Sequence, residues 1–100
     1  MKHNKLVRDN IPDIIKKKGE QAITHIAGDQ EYWQKLKEKL EEEVREFLKD
    51  ETVGEIADVL EVINAIYEYK KWSREEVEEV KSKKAKERGK FKKRIILEES

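Results

Sequence analysis

The chain has 100 residues, no cysteine, 46% charged side chains and a formal net charge of zero. That length suits one domain over residues 1–100 with one modest core, and zero cysteines exclude a disulfide framework, thiol catalysis and thiolate zinc sites. No apolar run approaches membrane-spanning length and the N-terminus lacks the apolar segment of a signal peptide, so a cytoplasmic protein with no membrane partner is expected.

Residues 1–8 read as an N-terminal arm with Lys2, Lys5 and Arg8 exposed. Asp9 or Asn10 can then cap a short helix, with Pro12 near its first turn and Gly19 closing it after Lys16, Lys17 and Lys18. From 21 to 27, QAITHIA alternates apolar and polar residues over too few positions for a helix, which predicts a short strand. Its expected partner is the other β-like run, Arg94, Ile95, Ile96 and Leu97, a pairing that ties the end of the chain to its beginning.

Gly28 breaks the strand, and Asp29 is placed to cap a helix from about 30 to 48 whose buried stripe is Trp33, Leu36, Leu40, Val44, Phe47 and Leu48. A polar segment, Lys49 to Thr52, is short enough to turn this helix back on the next as an antiparallel hairpin. Thr52 starts the third helix, where Val53, Ile56, Val59, Leu60, Val62, Ile63, Ile66 and Tyr67 cover more than half the circumference. At about 100° per residue, Glu55 falls inside this apolar arc, so a carboxylate aimed at the core is expected, and such a group needs a partner. Glu61 and Glu68 are placed on the solvent side.

Glu42, Glu43 and Glu46 form E-E-x-x-E, and Glu55 and Asp58 form E-x-x-D. Residues three and four apart share a helix face, and the turn brings the two groups level. Five carboxylates at that separation repel unless a cation sits among them. Hard oxygen ligands without cysteine or a nearby histidine point to Mg²⁺, with Mn²⁺ a close substitute; Ca²⁺ suits less well because no EF-hand loop is present. Two plainer roles compete. Charged residues on a lysine- and glutamate-rich helix are commonly just solvated, and Thr52-x-x-Glu55 is also a capping-box pattern.

Ser73 with Glu76 is a capping box for a fourth helix ending near Arg88 and Gly89, and Trp72 before it reads as a hydrophobic staple. The apolar stripe is thin, Val77, Val80 and Ala85, so this helix packs loosely or against a second subunit. Charge is segregated along the chain. From Glu41 to Glu61 nine acids stand against two bases, and from Lys81 to Arg94 nine bases stand against one acid. Acids holding a metal beside a basic arm would suit a phosphate substrate. Phe91, the single aromatic of the basic tail, argues against a base-stacking surface for nucleic acid, and His3 and His25 are isolated.

The spaced acid motifs resemble those of the MazG-like all-alpha nucleoside triphosphate pyrophosphatases. Lys5-Leu6-Val7-Arg8-Asp9, with Ile11-Pro12 and Ile14-Ile15, looks like the opening of the small single-domain branch related to phosphoribosyl-ATP pyrophosphohydrolases. Lys86, Arg88, Gly89 and Phe91, then residues 94–97, look like that branch's closing segment. The resemblance implies a mainly α helical bundle, here with a small two-stranded β element, and Mg²⁺-dependent cleavage between the α and β phosphates of a nucleotide. It implies metal ligation by Glu42, Glu43, Glu46, Glu55 and Asp58, and assembly as a homodimer or homotetramer. The physical expectation is that Glu43 or Glu46 accepts the proton of the attacking water. Lys5, Arg8, Lys83, Lys86 and Arg88 would stabilise the phosphate charge. Phosphoribosyl-ATP pyrophosphohydrolase is the alternative enzyme, and a non-catalytic helical module binding a metal or a protein is the alternative class.

Overall fold

The computed structural model describes residues 4–100; Lys2 and His3 of the predicted arm lie outside the described residues. Four helices follow one another: α1 (Ile11–Lys17), α2 (Asp29–Lys49), α3 (Val53–Lys70) and α4 (Arg74–Arg88). The fold is mainly α, as the sequence predicts.

Local chemistry sets most of the boundaries. In α1, Pro12 sits in the first turn, where its missing N–H costs nothing, and Asp13 at the start and Lys16 and Lys17 at the end complement the helix dipole. Gly19 takes φ 82°, a left-handed value that costs other residues more, and its N–H donates to the Lys16 carbonyl. Asn10 occupies the cap position without a capping side-chain bond. Gly28, not Asp29, caps α2. Asp29 is the first helical residue and accepts a 3.0 Å bond from the Tyr69 hydroxyl, which ties the start of α2 to the end of α3. Ser73 and Glu76 form the full reciprocal capping box of α4.

The core lies between α2 and α3, antiparallel arms of one helical hairpin. Leu36 is 1% exposed and Val59 and Val62 are 8% exposed, and these three are the buried hydrophobic residues among those described. Trp33 stacks on Tyr69 with centroids 5.1 Å apart and planes 2° apart, and the Lys70 ammonium lies 4.3 Å from the Trp33 ring. Trp33 therefore packs the open end of the hairpin, and Tyr32 meets the same Tyr69 ring edge-on. The apolar arcs are less buried than predicted. Val44, Leu48, Val53, Ile56 and Leu60 are exposed, and among the described residues the main helix-to-helix packing is that of α2 on α3.

The two-stranded element does not form: among the described residues there is no strand. Ile23 and Ile26 lie three positions apart, so on a strand they would face opposite sides, and a period of two needs both on one. Both are almost fully exposed, as are Ile95, Ile96 and Leu97. Neither extended run has a packed face to offer the other. α4 likewise has no buried residue, in keeping with its thin apolar stripe. Trp72, predicted to staple its start, is half-exposed.

Candidate metal centre at the closed end of the hairpin

The turn between α2 and α3 is closed by backbone and cap bonds that leave carboxylates over. Asp50 N–H donates to the Glu46 carbonyl, and Thr52 N–H donates to the Asp50 carbonyl. The Thr52 hydroxyl accepts from Glu55 N–H at 3.2 Å, so half of the predicted capping box forms. The other half would need Thr52 N–H, which Asp50 already occupies. The Glu55 carboxylate is thus not consumed by capping.

Glu43, Glu55 and Asp58 each offer an oxygen, and these lie within 4.8 Å of one another; Glu46, Asp50 and Glu55 do the same. Glu55 belongs to both sets and is the pivot of the cluster. It is half-buried instead of aimed into the core, a correction to the helical-wheel expectation. Val53 and Ile56 beside it are exposed, so the apolar arc of α3 is not covered at the turn. Partial burial, and then the charges of Asp58, Glu46, Glu43 and Asp50, hold the Glu55 carboxyl above the usual carboxylate range. Oxygens around an octahedral Mg²⁺ at about 2.1 Å stand at most about 4.2 Å apart, a spacing that small side-chain rotations would reach here. The donors are all hard oxygens, so the residues present fit a divalent cation of that class.

Glu42 is placed differently. Its carboxylate pairs with Lys5 Nζ at 3.4 Å and with Lys39 Nζ at 3.2 Å, outside both oxygen sets. Burial pulls its carboxyl up, but the hydrogen bonds and charges of Lys39 and Lys5 outweigh that and leave it below the usual range. Lys39 also pairs with Glu43 at 3.2 Å. Arg8 Nη2 donates to Asp58 Oδ1 at 2.7 Å. The arm cations Lys5 and Arg8 therefore do meet the acids. Lys83, Lys86 and Arg88 do not: they lie exposed on α4, and among the described residues no hydrogen bond or ion pair joins them to the cluster.

Two residues of the site escaped the sequence reading. Asp50 was legible as an acid in the turn, but the E-x-x-E spacing drew attention to the helices on either side. Lys39 lies four residues before Glu43 and three before Glu42, the spacing at which a helix forms such pairs, and that signal could have placed it.

No family model matches the chain, and no solved structure matches it. An uncharacterized protein of Mycolicibacterium smegmatis is 43% identical over 47 residues, 47% of this chain and 48% of the relative. The chain thus spans about half the length of the curated relative it matches. No helix of the described residues is long and apolar enough to cross a membrane.

Proposed function

We propose that the chain is a Mg²⁺-dependent nucleoside triphosphate pyrophosphohydrolase, which cleaves the α–β phosphoanhydride to a nucleoside monophosphate and pyrophosphate and so clears noncanonical or surplus nucleotides. The observation that carries the reading is Glu55, a half-buried carboxylate common to two oxygen sets and held protonation-prone by partial burial and by the charge of four other acids. A site that accumulates negative charge at a hairpin end favours a dication over solvent.

Glu43, Asp50, Glu55 and Asp58 would hold the metal between them, with Glu46 beside them. When bound, Mg²⁺ neutralises phosphate oxygens and makes a bound water more acidic. The remaining work falls to side chains. Glu43 is engaged by Lys39, whereas Glu46 has no cationic partner among the described residues, so Glu46 is the better placed of the two to take the proton of the attacking water. The water oxygen bonds to phosphorus as the bridging bond breaks, and pyrophosphate leaves with the electron pair. Arg8 and Lys5 stand beside the acids and supply positive charge to the phosphates. An open cleft of about 580 Å³ runs from Glu43, Asp58 and Arg8 towards Tyr32 and Ile14, within the size range of small-molecule sites.

A homodimer or homotetramer goes with this reading. Leu48, Val53 and Leu60, all more than half exposed around the hairpin, are the apolar surface a second copy would cover. Cytoplasmic nucleotide is the natural substrate pool for such an enzyme.

The test is pyrophosphate release from ordinary, oxidised and deaminated nucleoside triphosphates, with Mg²⁺ and with a chelator. Metal-dependent pyrophosphate in equal yield with monophosphate is expected. No turnover on this panel or on phosphoribosyl-ATP would overturn the reading.

A further inference from the structure

The residues before α1 cross the hairpin and are held there by charge. Arg8 bonds Asp58, 50 residues away in sequence, and Lys5 bonds Glu42, 37 residues away. Between these two pins, Leu6 and Val7 line the 580 Å³ cleft together with Glu43 and Asp58. Little else fastens this segment. Val7 is 36% exposed, and among the described residues no backbone hydrogen bond joins residues 4–9 to α2 or α3.

Asp58 thus has two claims on it. It accepts from Arg8, and it contributes an oxygen to the set shared with Glu43 and Glu55. A guanidinium and a dication on one carboxylate repel each other, so occupancy by one weakens the other. We propose that the N-terminal arm is a strap over the cleft, with Arg8 as the placeholder cation on Asp58: a divalent cation entering the cluster displaces Arg8, and the polyphosphate of the bound nucleotide takes it up again and recloses the arm. This rests on the reading of the cluster as a cation and nucleotide site. It assigns Arg8 two successive partners and makes the arm, not the helices, the moving part of the site.

The assay reads the two pinned side chains directly, because trypsin must take Lys5 or Arg8 into its own binding pocket and an ion-paired side chain is withheld from it. The full chain is digested in NaCl, in MgCl₂ at matched ionic strength, and in MgCl₂ with a nucleoside triphosphate whose α–β bridging oxygen is replaced by methylene. Cleavage after Arg8 is expected to rise about two- to fivefold with Mg²⁺ alone, the range a partly exposed ion pair supports, and to fall again with the nucleotide analogue. In parallel, loss of the free Mn²⁺ paramagnetic resonance signal reports metal binding, and Arg8→Gln should bind Mn²⁺ about two- to fivefold more tightly than the native chain. Arg8 is exposed, so this change leaves the core intact. Bound Mn²⁺ with unchanged cleavage would overturn the strap and leave the hydrolase reading standing. No Mn²⁺ bound by the native chain would overturn both.

Discussion

Glu42 and Glu55 sit on facing arms of one hairpin and experience opposite fields. Glu42 has two ammonium groups within 3.4 Å and its carboxyl is drawn down; Glu55 has four carboxylates around it and is pushed up. Both come from acid-rich stretches that look alike as text. What separates them is which neighbour sits a helical turn away. Lys39 precedes Glu42 on α2, whereas Glu55 at the first turn of α3 has Asp58 after it and the end of α2 beside it. A carboxylate that the fold has already neutralised is a structural pair. One that the fold leaves in acid company carries a repulsion that a proton or a cation would relieve.

The largest expected effect sharpens that contrast at the chemistry. Glu46→Gln should lower kcat about 10²- to 10⁴-fold with little change in Mg²⁺ requirement, the cost of losing a positioned base. Glu42→Gln should leave kcat within about threefold, since Glu42 is tied to lysines. Steady-state pyrophosphate release checks both, and equal losses would erase the distinction between the two acids.

Stability without metal separates the same residues in the opposite sense. Glu55→Gln should raise Tm, because it removes a repelled charge and leaves the Thr52 cap intact, whereas Glu42→Gln should cost about 1 kcal/mol through Lys5 and Lys39. With Mg²⁺ added, the native chain should gain Tm and Glu55→Gln should gain much less. Thermal denaturation of the three proteins with and without Mg²⁺ measures this. A metal-induced gain in Glu55→Gln equal to that of the native chain would break the comparison.

The helices and the acid alignment were legible because they rest on local rules. Pro12, Gly19, Thr52 and Ser73 punctuate the chain by their own chemistry, and the acids converge because three- and four-residue spacing fixes a helix face. What failed depended on long-range partners. A strand at 21–27 needs a ladder, and Ile23 and Ile26 have no common face to build one on, while the apolar tail packs against nothing and stays exposed. The depth of Glu55 depended on how closely α3 closes on α2 at the turn, which no periodicity specifies. The α4 bases were expected near the acids on charge alone, and charge complementarity does not fix where a weakly packed helix lies.

The smallest effect, and the most discriminating in its shape, is the pH dependence of the metal-free protein. Glu55 holds its proton to higher pH when folded than when unfolded, so its contribution turns against folding as pH rises through the carboxylate range. Glu42 does the reverse: its pairing stabilises above the unfolded value and is lost as pH falls through its lowered folded value. Glu38, lowered by hydrogen bonds from Gln34 and Lys35, adds to that acid side. Acidification from neutrality should therefore first relieve Glu55 and then break Glu42, so that Tm passes through a shallow maximum at mildly acidic pH. Glu55→Gln should flatten the neutral limb, and Glu42→Gln should reduce the acid limb without removing it. Mg²⁺ should flatten the neutral limb of the native chain as Glu55→Gln does, because a dication and a proton relieve the same repulsion. A neutral limb that Mg²⁺ leaves unchanged would mean that the charge around Glu55 is answered by solvent alone.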